Sequence, residues 1–189
     1  MPTLPFPASS PLEEGLGKLT PLEGLVVRPI RDGDIEAISE ALRELGSPEQ
    51  PERGLERGRE GLGTFLTAWL ANECVGYLTV HWRSSPRSPE GWKDGRTAYL
   101  EDLIVAENQR GLGIGTAMMQ TAEKMAHDRG LARVTLGVGV DNDGAQRLYK
   151  RLGYADAGLD LVEDSGRFQR WDGETVEWQE TWRFMVKDL

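Results

Sequence analysis

Residues 99–119, YLEDLIVAENQRGLGIGTAMM, and residues 141–154, DNDGAQRLYKRLGY, decide how this chain folds. Thr97–Val105 is rich in β-formers and reads as a strand. It runs into Arg110-Gly111-Leu112-Gly113-Ile114-Gly115-Thr116, with three glycines in five residues. From about Gly113 the apolar positions Ile114, Met118, Ala122 and Met125 recur at steps of three and four, and Lys124, His127, Arg129 and Gly130 close a helix of about four turns. A strand that feeds a helix through glycines brings backbone N–H groups to the positive helix end, an arrangement that favours phosphate. A tight strand-to-helix turn uses the same glycines.

Working outward, Arg133–Val140 alternates strictly: Val134, Leu136, Val138 and Val140 share one face, and Thr135, Gly137 and Gly139 leave the other almost bare. Asn142 or Asp143 caps a further helix with Ala145, Leu148, Tyr149 and Leu152 on one stripe, closed by Lys150, Arg151 and Gly153. Upstream, Leu25-Val26-Val27 is a short strand, and Asp34 is placed to cap a helix carrying Ile35, Ile38, Ala41, Leu42 and Leu45. Residues 46–63 are rich in Gly, Pro and charge and read as an irregular or weakly helical connection. Phe65–Leu70 and Cys74–Trp82 flank Ala71-Asn72-Glu73, a hairpin signal. The remainder, including VEWQETWRFMV, reads as two more strands. Residues 1–24 hold five of the ten prolines and lack the apolar stretch of a secretory signal; they are expected to form a flexible N-terminal tail.

The 189 residues and 21.0 kDa fit one domain. With 39% apolar and 28% charged residues and a mean hydropathy of −0.46, no segment approaches the ~18–20 apolar residues that span a bilayer. The formal charge of −9 repels phosphate backbones and anionic membranes, so neither nucleic acid nor membrane is an expected partner; a cationic small molecule fits better. The lone Cys74 permits no internal disulfide and no structural zinc site, so no metal is expected and the cytoplasm is the default compartment. A homodimer is compatible with the sequence.

Two phosphate-binding alternatives fail letter by letter. A dinucleotide fingerprint needs glycine where Thr116 stands, and no Gly-Lys-Ser/Thr tripeptide exists for a P-loop. Segment 99–154 instead resembles the GNAT superfamily of acyl-CoA-dependent N-acyltransferases: Arg110, Gly113 and Gly115 match its Arg-x-x-Gly-x-Gly motif, and Asn142 to Tyr154 match its later Asn-x-x-Ala-x-x-Leu-Tyr-x-x-Leu-Gly-Tyr run. The resemblance implies an α/β (α+β) domain over residues 25–189, with a mixed, mostly antiparallel central sheet flanked by helices and splayed at the acyl-CoA site. It also implies acetyl-CoA as cosubstrate, its pyrophosphate on Arg110, Gly111, Leu112, Gly113, Ile114, Gly115 and Thr116. The pantetheine would run beside Leu103, Ile104 and Val105 and reach Asn142 and Ala145. The bare face of Thr135, Gly137 and Gly139 is consistent with ligand space, and equally with close packing.

Acetyl transfer to an amine must remove a proton from the ammonium, stabilise an oxyanion and protonate a departing thiolate. Glu101 is the candidate base: in polyamine-acetylating relatives a sequence like Tyr99–Asp102 carries a glutamate in that role. Asp102 points to the opposite face and takes over if a bulge shifts the register. Tyr149 is the candidate acid, because a phenol of pKa ≈ 10 keeps its proton at neutral pH, although its stripe also suits a core aromatic. A backbone N–H near Leu103 would meet the oxyanion. His81, His127 and Cys74 read as structural, and the six Trp residues divide between core and acceptor wall. The acidic run at 156–180 reads as a solvated face that could attract a polycation. The expected activity is acetyl-CoA-dependent N-acetylation of a primary amine; a protein or peptide N-acetyltransferase and a non-catalytic acyl-CoA sensor are the alternatives.

Overall fold

The computed structural model describes residues 22–41, 49–170 and 173–189. The polypeptide forms β1 (Leu25–Pro29), α1 (Ile35–Ala41), α2 (Gln50–Arg59), β2 (Gly63–Leu70), β3 (Glu73–His81), β4 (Thr97–Val105), α3 (Ile114–Asp128), β5 (Arg133–Gly139), α4 (Asp143–Arg151), β6 (Ala155–Asp156), β7 (Val162–Gln169) and β8 (Thr175–Asp188). The strands make one eight-stranded sheet in the order β1-β2-β3-β4-β5-β8-β6, with β7 on β8. Among the described residues only β4 and β5 pair in parallel, because α3 carries the chain back between them. The mixed, mostly antiparallel sheet flanked by helices is the architecture expected from the sequence.

Periodicity explains the layering. Ile114, Met118, Met119, Ala122 and Ala126 put the apolar stripe of α3 against β2, β3, β4 and β5, and all five are buried. Tyr149, with Ala145, Leu148 and Leu152 of α4, joins the same core. A second, smaller core of Ile30, Ile38, Phe65, Cys74 and Tyr77 lies under α1 and α2. β3 is buried along nearly its whole length, as a central strand covered on both faces must be. The β2–β3 turn is the two residues Ala71 and Asn72, both at positive φ, the hairpin geometry that matches strand twist.

Three features differ from the sequence expectation. Residues 50–59, expected irregular or weakly helical, form α2; an ideal Cβ on its Gly54 would stand 2.5 Å from the Cβ of Phe65, so glycine lets the helix lie directly on β2. The C-terminal third has three strands rather than two, since VEWQETWRFMV falls within the single 14-residue β8. Asp34 does not cap α1: its carboxylate accepts two bonds from the Arg28 guanidinium, at 2.6 and 2.9 Å, and one from the backbone N–H of Arg31. Leu42 and Leu45 of the first helical stripe, and residues 1–21 of the expected tail, lie outside the described residues; Leu22 packs against the main core. No helix among the described residues is long and apolar enough to cross a membrane.

Met118 is fully buried beneath the sheet, so Met118→Ala is expected to lower unfolding free energy by about 2–5 kcal/mol, read from urea unfolding. Lys124→Ala, which breaks only an exposed α3 ion pair with Asp128, is expected to change it by less than about 0.5 kcal/mol.

Candidate active site

The parallel register of β4 and β5 runs from Thr97↔Arg133 to Leu100↔Leu136 and stops there, although both strands continue. On its other edge β4 bulges: Thr79 pairs with Glu101 and Tyr77 with Ile104, so Asp102 and Leu103 together oppose Leu78. Asp102 takes φ +54, a left-handed conformation that Asp tolerates better than most residues. The unpaired ends open a cleft of about 960 Å³, lined by Tyr99–Ile104 on one side and Gly137, Gly139 and Tyr149 on the other. The β7–β8 hairpin forms the far wall with Asp164, Trp178, Glu180 and Trp182, and Glu49, Gln50 and Arg53 of the α2 region close the near end. The bareness at Gly137 is spent on packing, since an ideal Cβ there would lie 2.8 Å from the Trp182 ring.

The bulge brings both candidate carboxylates to this cleft, in different environments. Glu101 Oε2 accepts a 2.9 Å hydrogen bond from His81 Nε2, and that bond, helped by the nearby Arg57, holds its carboxyl below the usual carboxylate range. Asp102 lines the same cleft and keeps an exposed surface, yet the protein packed around its carboxyl pushes it up to about 6, first by desolvation and then by the charge of Glu101. Its Oδ2 accepts a 2.8 Å bond from Gln50 Nε2. Adjacent carboxyls therefore titrate in opposite directions, a pattern by which one fold provides both a fixed charge and a proton acceptor.

Tyr149, delivered by α4, is 8% exposed, and burial alone pushes its hydroxyl up to about 12. It keeps its proton at neutral pH while lining the same cleft as Glu101 and Asp102. Cys74 is buried, and desolvation raises its thiol to about 11, so it is no thiolate nucleophile near neutrality. His127 is exposed at the end of α3 and does not line the cleft. Among the described residues, no three His, Cys, Asp or Glu side chains come together to hold a metal ion.

The glycine loop follows the same, C-terminal end of the strand. Gly111 and Gly113 adopt φ +81 and +88, and Gly113 is the N-cap of α3. An ideal Cβ on either meets nothing within 4 Å, so bare backbone faces open space, and the first-turn N–H groups of α3 have no intrahelical acceptor. This arrangement fits an extended anionic ligand. An ideal Cβ on Gly115 would meet Leu148, Leu103 and Val105 at 3.6–3.8 Å, ordinary contact distances, so this glycine faces β4 and α4. Ile114 and Thr116 turn their side chains into the protein, leaving their backbone to the loop, whereas Leu112 is exposed and Arg110 Nε donates to the carbonyl of Val105. Asn142 Oδ1 accepts from Ala145 N at 3.0 Å and caps α4, which commits its carbonyl and leaves the amide nitrogen as the end able to meet a ligand.

Sequence reasoning missed Gln50 and Tyr77, which join Asp102 across 52 and 25 positions of chain, and the His81–Glu101 bond; no local spacing signals such partners. Of the six Trp residues expected to divide between core and acceptor wall, Trp178 and Trp182 line the cleft, Trp82 is core, Trp69 faces Arg28, Trp92 meets Phe184 edge-on and Trp171 lies outside the described residues.

Comparison with known proteins agrees with this geometry. The profile of the Acetyltransferase (GNAT) family matches residues 35–154. Thialysine N-epsilon-acetyltransferase of Bos taurus is 30% identical over 170 residues, which span 80% of this chain and 95% of that protein. Among solved structures, the ribosomal-protein-alanine N-acetyltransferase of Brucella melitensis superposes with a TM-score of 0.63 at 24% identity, over 87% of this chain and 99% of that one. The yncA protein of Salmonella typhimurium, solved with its cofactor acetyl-CoA, gives 0.60 at 17% identity, over 88% and 94%. A strand opened by a bulge, a glycine loop at its end and a profile covering most of the chain converge: the chain belongs to the acetyltransferase (GNAT) family and is an N-acetyltransferase with acetyl-CoA as its cosubstrate.

Proposed function

We propose that the protein transfers an acetyl group from acetyl-CoA to a primary amine of a small cationic acceptor, with Asp102 as proton acceptor, Glu101 as the fixed negative charge beside it and Tyr149 as proton donor. The observation that carries this reading is the meeting of two carboxylates of opposite pKa displacement with a protonated phenol in one cleft. Acetyl-CoA supplies an activated thioester. Its pyrophosphate fits the backbone of Gly111 to Thr116, and its arm fits the unpaired edge of Leu103–Val105, towards Asn142 and Ala145.

The acceptor arrives as an ammonium, because an alkyl amine titrates near ~10. Glu101, kept ionised by His81, draws it in, and Asp102 takes its proton directly or through water, so that a nitrogen lone pair can attack the carbonyl. A bulge leaves one residue's backbone out of the ladder, and in this reading the N–H near Leu103 meets the oxyanion. As the C–N bond forms and the C–S bond breaks, Tyr149 gives its proton to the sulfur. The acceptor's class is supported by the wall: Glu180 lines the cleft together with Trp178 and Trp182, a surface suited to a second positive charge, while Asp164 is engaged by Arg87 at 2.7 Å. The Bos taurus relative, named for a small amino acid amine, agrees with this class. A thiol-release screen with acetyl-CoA across diamines, polyamines, thialysine, aminoglycosides and peptides tests it; turnover confined to peptides would overturn it.

Three measurements test the parts. Saturation with acetyl-CoA at about 100 times Kd should stabilise the protein by about 2.7 kcal/mol, or roughly 5–10 °C in Tm, and Gly113→Val should remove that shift; a variant that binds normally would reduce the loop to a turn. Asp102→Asn should abolish the acidic limb of the pH–rate profile near pH 6. Glu101→Gln, by removing a like charge, should move that limb to lower pH and raise KM for the amine; loss of the limb in Glu101→Gln alone would transfer the proton-acceptor role to Glu101. Tyr149→Phe should bind acetyl-CoA like the parent but turn over ~10²–10⁴ more slowly, with a defect that shrinks as pH rises; parental turnover would leave Tyr149 as a wall residue.

A further inference from the structure

We propose that Gln50, the first residue of α2, is a positioning residue for the reaction: its side-chain amide, clamped between the Tyr77 hydroxyl and the Asp102 carboxylate, aims that carboxylate into the cleft. This rests on Asp102 being the proton acceptor.

The clamp consists of two short bonds in series. Tyr77 Oη donates to Gln50 Oε1 at 2.6 Å, and Gln50 Nε2 donates to Asp102 Oδ2 at 2.8 Å. The direction is set by chemistry: an ionised carboxylate only accepts, so the amide nitrogen must face Asp102 and its oxygen must face a donor. Burial keeps Tyr77 protonated and able to supply that donor. A donor to the amide oxygen also polarises the amide, strengthening its own N–H as a donor.

The clamp rests on rigid ground. Tyr77 stacks on Phe65, with ring centroids 5.0 Å apart and planes at 21°, and the same Phe65 lies under Gly54 of α2, where no side chain fits. The helix bearing Gln50 and the strand bearing Tyr77 are thus registered against one ring. Asp102, by contrast, sits on a bulge at positive φ, where the β-ladder does not by itself fix the side chain. Charged and titratable groups around it come from three elements: Tyr99 and Glu101 on its own strand, His81 and Tyr77 on β3, and Arg57 on α2, with Glu49 and Arg53 at the rim. Glu101 disfavours the ionised form, whereas Arg57 and His81 favour it. Gln50 is the neutral donor whose bond reaches the carboxylate itself and favours its ionised form.

The experiment uses the full chain with Gln50→Leu, Gln50→Glu and Tyr77→Phe. The first readout is the ¹³C NMR titration of the Asp102 carboxyl, assigned by its loss in Asp102→Asn, which requires no acceptor. The second is thiol release from acetyl-CoA with thialysine as the amine. Gln50→Leu should raise the Asp102 pKa by about 0.5–1, Gln50→Glu should raise it further by adding a like charge, and Tyr77→Phe should raise it less. The acidic limb should move with it, and kcat should fall about tenfold with KM for acetyl-CoA unchanged. An Asp102 titration identical to the parent in Gln50→Leu overturns the proposal. If Gln50→Leu does not fold, the same identity in Gln50→Glu and Tyr77→Phe overturns it. Should Asp102→Asn keep the parental limb, the proton-acceptor reading fails. If Asp102→Asn loses the limb while Gln50→Leu keeps the parental rate and limb, only the positioning role fails.

Discussion

The structure depends on a parallel strand pair that stops pairing halfway. β4 and β5 share four register positions and then diverge, and a sheet interrupted in this way must find other partners for the exposed strand edges. One way is to bind a ligand that itself runs extended, and the glycine loop at the end of β4 offers such a ligand an anchor for its anionic end. The bulge in β4 is the complement of the same divergence: inserting one residue opposite Leu78 bends the strand and turns Asp102 towards the opening that the divergence creates.

From that backbone constraint the electrostatics follow. In a regular strand Glu101 and Asp102 would stand on opposite faces, one wet and one buried. With the bulge they share a concavity, so one charge is felt by the other, and each is differentiated by a partner from outside the strand. His81, on the neighbouring β3, holds Glu101 ionised; the protein packed around its carboxyl desolvates Asp102, and Gln50 reaches it from α2. Tyr149 comes from the other side of the opening, on a helix whose remaining apolar residues are committed to the core. The ring that carries the hydroxyl is therefore held by packing, and burial keeps the hydroxyl protonated.

The walls away from the chemistry belong to less regular parts of the chain. α2 contains two glycines and a proline, and its intrinsic helix preference is poor; it exists because Gly54 lets its backbone rest on Phe65 and because Leu55 meets the smaller core. The β7–β8 hairpin places Trp178 over Gly166 and Trp182 over Gly137, so that aromatic surface faces the cleft while the acidic residues of the same strands line its rim.

Spacing in the sequence alone determined the strand–glycine loop–helix unit, the α3 and α4 stripes and the hairpin at Ala71-Asn72, because each of these is a short-range pattern with a period or a cap; the candidate groups Glu101, Asp102 and Tyr149 came from the family resemblance, since periodicity could not separate a catalytic Tyr149 from a core one. The sequence also stated the condition under which Asp102 would join Glu101, a bulge, without being able to say whether one forms. Tertiary structure decided that the bulge is there, since it depends on how β3 registers against β4. It decided that residues 50–59 are a helix, because docking on Phe65 outweighs a weak local propensity. It also decided the partners Gln50, Tyr77 and His81, which lie 20 to 52 positions away from the carboxylates they set. Pairings over that distance leave no periodic trace in a single chain; they arise only when the sheet has brought its strands together and α2 has docked beside them.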